Sequence, residues 1–349
     1  MDMKRDYYED IQLLDSGAKK IWFLLLLVCL ATFPLYVSNY YLYMMNYMAI
    51  NVLVAMGLNI LVGYTGQISL GHAGFFAVGA YTTVLFMIKL HFPFLPALAC
   101  GGLFAALLGF VLGLPALRLE GPYLAIATMG FGLAITQVIG RWQFLGGHMG
   151  IQVPRITFGS WEIDSDRELY IVIIVITVVM MVAARNLLKT RIGRAFIAIR
   201  DSDIAAETMG VNLTYYKTLS FAVSAFYTGV AGGLMAFVLG FISPGSFNFI
   251  LSILFLAMVV VGGVGSVLGS VMGGILISFL NLKLTAIQDL PWLGQALVAV
   301  SEKWMSVSGL PNVASIVFGL ILIFIMIFEP LGLYGIWIRT KIYWRTWPF

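Results

Sequence analysis

Residues 250–282 read ILSILFLAMVVVGGVGSVLGSVMGGILISFLNL, 33 positions without a charged side chain. A membrane-crossing helix needs about 20 apolar residues, with a range of roughly 17 to 25. The run is therefore too long for one straight crossing. It carries Gly262, Gly263, Gly265 and Gly269 near its middle, so the sequence predicts a break there and two spans, 250–267 and 268–282.

Working outward with the same window gives eight further spans, at 21–37, 43–63, 72–90, 96–114, 122–140, 168–186, 218–240 and 313–328. Composition agrees. Hydrophobic residues make up 61% of the chain and charged residues 10%, where soluble domains carry about 25% charged. A soluble protein with so few charges could not cover its surface. The 37 glycines fit helices whose backbones approach closely in lipid. Cys29 and Cys100 lie in apolar runs without metal-like spacing and read as buried thiols. The basic pI comes from dispersed Lys and Arg, without the clusters a nucleic-acid surface requires.

Basic residues favour the cytoplasmic side. Ten spans with both termini inside place Lys4, Arg5, Lys19, Lys20, Arg118, Arg185, Lys189, Arg191, Arg194, Arg200, Lys217, Arg339, Lys341 and Arg345 in the cytoplasm, 14 of the 20 Lys and Arg. Merging 250–282 into one span would send the basic C-terminal tail outside. The expected organisation is a cytoplasmic tail (1–20), a transmembrane body (21–335) and a cytoplasmic C-terminal tail (336–349). Residues 141–167 and 283–312 are expected to form external loops, and 187–217 a charged cytoplasmic one. The mixed-charge start, with no A-x-A site after the first apolar run, reads as a tail before a signal-anchor helix. No stretch is left for a soluble domain, so an energy source is expected on another chain.

Within 187–217, Asp201, Ser202 or Asp203 suits a helix start, because a side-chain oxygen there accepts unpaired backbone N–H groups. Ala205, Ala206 and Glu207 favour a helix interior, and Gly210 suits the left-handed position that ends one. Such a two-turn helix is marginal alone in water. It either docks on a partner or lies on the cytoplasmic face of its own chain.

Ala205-Ala206-x-x-x-Gly210 resembles the core of the loop through which ABC importer permeases dock into their ATPases, with Ile204 where an acidic residue usually leads. A wider set of blocks is similar to the branched-chain amino-acid (LIV-type) permease family. They are GLNILVGYTGQISLGHAGFFAVGAY (57–81), LPALRLEGPYLAIATMGFG (114–132), GRAFIAIRDSDIAAETMGV (193–211), GFISPGSF (240–247) with VVGGVGSVLG (260–269), and FEPLGLYG (328–335). The five occur in the family's order over most of the chain, and are nearest the M-type of its two subunits.

The resemblance implies an all-α integral membrane protein, a type II-like ABC importer permease of about ten transmembrane helices with N- and C-termini cytoplasmic. It implies coupling to an ATPase through Gly193, Arg194, Arg200, Asp201, Asp203, Ala205, Ala206, Glu207 and Gly210. The implied partners are a second, H-type permease subunit, two cytoplasmic ATPase subunits and an external solute-binding protein, in the inner membrane of a prokaryote. No cofactor is expected on this chain, ATP and Mg being bound by the ATPases. Branched-chain amino acids are the implied cargo, with urea, short amides and other amino acids as alternatives within the group.

Polar groups at membrane depth are costly and face protein or a cavity. Gln67, Ser69 and His72 sit among Gly63, Gly66, Gly71 and Gly74. Glycines this dense permit broken backbone beside a substrate route, which makes Gln67, Ser69, His72, Gly66 and Gly71 candidates for a path or hinge. The alternative is a tight cytoplasmic turn. Ser69 and His72 lack an acidic orienter and a G-x-S-x-G turn, so nucleophilic catalysis is excluded. His91 and His148 are too scattered for a metal set. Arg118 and Glu120 read as a solvated loop pair or a contact to the ATPase. Ser220, Ser224 and Thr228 form a polar stripe suited to gluing helices, as do Asn51, Asn59, Thr128 and Gln137. An ion-coupled transporter would need acids inside its spans, and almost every Asp and Glu lies outside them.

Overall fold

The structure is a computed structural model that describes residues 17–116, 119, 121–158, 161–163, 165–285, 311–329 and 331–346. The start of the N-terminal tail, Arg118, Glu120 and most of the loop 283–312 lie outside the described residues. The order is α1 (Gly17–Tyr36), α2 (Asn39–Thr65), α3 (His72–Leu90), α4 (Phe94–Ala116), α5 (Pro122–Arg141), α6 (Asp166–Lys189), α7 (Arg191–Asp201), α8 (Asp203–Thr208), α9 (Leu213–Leu239), α10 (Phe249–Gly262), α11 (Val267–Thr285), α12 (Pro311–Phe328) and α13 (Gly332–Thr346).

The 27-residue α2 is apolar all round, and almost its entire span is buried inside the molecule. A helix of that kind belongs at the centre of a bundle. Around it pack α9, α11, α6 and α10, while α9 also lies along α4 and α3. The α3–α9 crossing is tight because Gly79 meets Gly229 there. Outer helices keep apolar faces exposed, such as Leu103, Leu107 and Val111 on α4 and Val175 and Val179 on α6. Lipid covers such faces at no cost. The first helix touches α6 through Tyr170, whose hydroxyl donates to the Leu30 carbonyl and whose ring stacks on Phe33.

Among the described residues six helices, α2 to α6 and α9, are each long and apolar enough to cross a bilayer, and 322–328 with 332–344 makes a seventh as a bent pair. Ten were expected. Three of the ten, 21–37, 250–267 and 268–282, are not among the seven, and two of these make up the segment quoted first. The chain does break after Gly262, but α10 has only 14 residues, about 21 Å at 1.5 Å per residue. That is short of the ~30 Å hydrocarbon core. α10 and α11 form an antiparallel hairpin, with Gly262 against Gly269 and Gly273 against Met258.

Asn59 of α2 holds this hairpin. Its Nδ2 donates to the Ser266 carbonyl (2.8 Å) and to Ser270 Oγ (2.6 Å), and its Oδ1 accepts from the Gly265 N–H (2.8 Å). Asn51 repeats the device one helical stretch away, donating to Ser278 Oγ. Asn51 and Asn59, read as glue, thus do join helices.

The loop between α5 and α6 takes part in two small ladders that the sequence did not announce. β1 (Ile151–Gln152) pairs antiparallel with β4 (Phe241–Ile242), and β2 (Ile156–Phe158) with β3 (Trp161–Ile163). The first ladder ties the loop after α5 to the segment that follows α9. The segment expected as a C-terminal tail is largely the helix α13, whose Tyr334 lies against Gly263.

Replacing Asn59 with Leu removes three hydrogen bonds and leaves the Gly265 N–H without its acceptor. A loss of about 1–3 kcal/mol is expected for such an orphaned group, read as a lower melting temperature of the purified protein in detergent. An unchanged melting curve would show that the hairpin does not depend on Asn59.

Candidate functional site

Between α2 and α3 the backbone leaves helical geometry over residues 66–71. Its start, Gly66, lies against Arg200 at the end of the bundle where α7 sits. Its far end is deep. His72 Nε2 is hydrogen-bonded to Ser224 Oγ at 2.8 Å, and Ser224 lies eleven residues into α9, about 16 Å along the axis. Thr65, at the end of α2, already meets Ser220 Oγ at 3.4 Å, so the segment runs inward by about one turn of α9. Ser69 and His72 are fully buried, and His72 Nδ1 meets Ser69 Oγ at 3.0 Å.

Three helices pin this inward segment. Thr128 Oγ1 of α5 accepts from the Leu70 N–H (3.0 Å), and Ser252 Oγ of α10 accepts from the Ala73 N–H (2.9 Å). Ser224 of α9 supplies the third hold, through His72. Gly71 is packed so closely on α5 that a Cβ there would lie 2.2 Å from the Thr128 carbonyl oxygen. Backbone in a bilayer must find partners within the protein, and these side chains are the partners.

Beside the start of α3 lies a cavity of about 300 Å³. Leu70 and Ala73 bound it on one side, Gly132, Thr136 and Gln137 of α5 on another, and the stretch from Pro244 to Ser252 on the third. Of the path candidates read from sequence, Ser69 and His72 meet each other behind this cavity rather than lining it. Gly71 packs at its base against α5, and Gln67 and Gly66 lie on the Arg200 side. Polar residues that do line it are Thr136, Gln137, Asn248 and Ser252, passed over or read as glue, and His148, read only as a scattered loop histidine. A signal was present in Pro244-Gly245 followed by Asn248 before an apolar run: a chain break, then a helix cap. Asn248 Oδ1 does accept from the Leu251 N–H, and Ser252 in the first turn of α10 reaches Ala73, next to His72 on Ser224, so α10 starts inside the bundle.

The second candidate feature is the pair α7–α8. Thr190 begins an amphipathic helix that sinks Ala195, Phe196 and Ile199 into the bundle, a helix the sequence reading took as loop. Gly193 lies beneath it against the Leu188 backbone, and Arg194 donates to the Lys189 carbonyl. Arg200 turns inward. Its Nη1 donates to the Gly63 carbonyl at 3.1 Å, while Nε and Nη2 donate to Asp201 Oδ1 at 3.2 and 3.1 Å.

α8 forms as its local residues dictate. Ser202 Oγ caps it by accepting from the Ala205 N–H (3.2 Å). Gly210, at φ 84°, closes it, with Gly210 N–H donating to the Glu207 carbonyl and Val211 N–H to that of Ala206. Asp203 is fixed to Lys217 Nζ of α9 at 2.5 Å. Ala206 is turned inward at 3% exposure, whereas Ile204 (77%) and Met209 (84%) stand clear, together with Ala205 and Glu207.

The comparison with known proteins now bears on these features. Residues 40–326 match the family described as branched-chain amino acid transport system / permease component. The chain belongs to this family. The high-affinity branched-chain amino acid transport system permease proteins LivM of Salmonella typhimurium (strain LT2) and Escherichia coli (strain K12) are each 35% identical to it over 284 residues, 74% of this chain and 67% of theirs. The probable branched-chain amino acid transport permease protein LivH of Methanocaldococcus jannaschii is 25% identical over 236 residues, 65% of this chain and 74% of that one. The nearer likeness to LivM agrees with the M-type motifs. No solved structure matches the chain. The permease is a multi-pass membrane protein, and both the inward segment and the α7–α8 pair fall inside the matched region.

Thr128→Val keeps the size of the side chain and removes the acceptor for the Leu70 N–H. Amide hydrogen exchange is expected to quicken at residues 70–73 and to stay unchanged through α9. Unaltered exchange at 70–73 would show that Thr128 does not hold the segment.

Proposed function

We propose that this permease is the membrane subunit of an ATP-driven importer of branched-chain amino acids, working by alternating access. The observation that carries the reading is α8. A six-residue helix cannot stand alone in water, yet this one is capped, closed and clamped to α9 while presenting Ile204 and Met209 outward. Apolar side chains held out on a rigid mount are what a partner's groove takes up. The partner is the ATPase: two such subunits bind ATP and Mg and supply the energy, while this chain does no chemistry. Differential affinity of the assembly's states for ATP then shifts the permease between conformations.

Basic residues support the orientation. Arg185, Lys189, Arg191, Arg194, Arg200, Lys217, Arg339 and Lys341 gather on the α8 side, against Lys89, Arg141, Arg155, Arg167 and Lys283 on the other. By the positive-inside tendency, α8 and both chain termini are cytoplasmic. Ten membrane segments follow, with α10 and α11 as a short-limbed pair, in the inner membrane of a prokaryote. A second permease subunit of the H-type completes the pore, and an external solute-binding protein delivers cargo.

Coupling residues divide into two kinds. Ile204, Ala205, Glu207 and Met209 face the ATPase. Gly193, Ala206, Asp203 and Gly210 build the mount, Arg194 braces the start of α7, and Arg200 with Asp201 joins the mount to the end of α2. An ion-coupled mechanism finds no support: among the described residues no Asp or Glu lies within α2 to α5 or α9 to α11.

Ile204→Asp with Met209→Asp changes exposed side chains only. The double variant is expected to reach the membrane at wild-type levels, to lose the ATPase on co-purification, and to lose at least 90% of ATP-driven leucine uptake. Full uptake by this variant would remove α8 as the docking element. Uptake of urea in place of leucine by the wild-type assembly would overturn the cargo.

A further inference from the structure

We infer that the cavity between α3, α5 and α10 is a binding site for one zwitterionic amino acid with an apolar side chain, occupied on its way through the protein. The inference rests on the transport reading above and adds to it a place and the residues that select.

The lining is divided by chemistry. Thr136, Gln137, His148, Asn248 and Ser252 are polar, and Met129, Leu133 and Phe247 are apolar. Ser252 is 2% exposed, its oxygen accepts from the Ala73 N–H, and its own proton has no acceptor among the described residues. A buried hydroxyl with an unspent proton on a cavity wall is a donor awaiting an acceptor, and a carboxylate oxygen is one. Thr136 spends its proton on the Leu133 carbonyl (2.9 Å), which leaves its oxygen to accept from an ammonium group. Gln137 is exposed at the rim of the cavity, and its amide both donates and accepts. A polar side chain placed so in a membrane helix marks a route rather than a lipid face.

Charge and size narrow the ligand. Apart from His148, no ionisable side chain lines the cavity, so a solute with net charge would be desolvated without a fixed counter-charge. A zwitterion is neutral overall, and its two ends are matched by one donor and one acceptor set. The volume, about 300 Å³, is at the small end of ligand pockets, the share of about ten waters. It holds one amino acid. The apolar wall then takes an aliphatic side chain, which urea and short amides do not have.

The assembly with its partner subunits and binding protein, reconstituted in liposomes, tests this in two ways. With Cys29 and Cys100 replaced by Ser, Leu133→Cys places a thiol in the wall. A small membrane-impermeant thiol reagent is expected to label it, several-fold more slowly with leucine present, and at an unchanged rate with urea or glutamate. In uptake, Gln137→Leu is expected to raise the leucine KM about tenfold, and Leu133→Trp to shift selectivity from leucine toward alanine. Wild-type leucine uptake without leucine protection of the thiol, or with unaltered kinetics in both variants, would overturn the site and leave the transport reading standing. Leucine protection without ATP-driven uptake by the wild-type assembly would do the reverse.

Discussion

Everything in this molecule answers to one constraint: the bilayer offers no water to an unpaired backbone group. A continuous helix meets it automatically. This chain departs from continuous helix at 66–71, at 243–248 and at 263–266, all of them inside or at the edge of the bundle. Each departure is matched by a short polar side chain: Thr128 and Ser252 from neighbouring helices for the first, Asn248 of the segment itself for the second, Asn59 of α2 for the third. The buried Ser, Thr and Asn residues are therefore the condition on which the breaks exist, and the breaks create the cavity.

The same economy governs the α8 side. Water is available there, so a helix can be short, but it must be anchored. Phe196 and Ile199 root α7 in the apolar body, and Lys217 fixes Asp203. Arg200 joins that anchored platform to the Gly63 carbonyl, beside the point where α2 gives way to the inward segment. Platform and break thus share one guanidinium.

How much of this was legible depended on the range of the interaction involved. Spans showed in composition, and the ends of α8 in Ser202 and Gly210, because hydropathy and capping act over a few neighbouring residues. The break at Gly262 was legible for the same reason. The depth at which α10 begins was not. A window of hydropathy counts apolar residues without knowing where they start, and Phe249 lies deep only because the segment before it folds back, fastened by a ladder of two residue pairs. α7 was missed because its Arg and Asp residues dominate the loop's composition while its apolar residues recur on one face. Ser252 and Gln137 were indistinguishable from other helix-gluing polar residues until three distant segments were brought to one cavity. Long-range juxtaposition leaves no local trace.

The shortness of α10 has a mechanical consequence. One end carries Ser252, hydrogen-bonded to the first turn of α3 on the cavity wall; the other runs into the turn at Gly265, under Arg200. Four helical turns contain no proline to absorb a bend, so the element behaves as a strut. A displacement imposed at its foot reaches its head nearly undiminished, and a full-length crossing helix pinned along the same face would have spread that motion over many side-chain contacts.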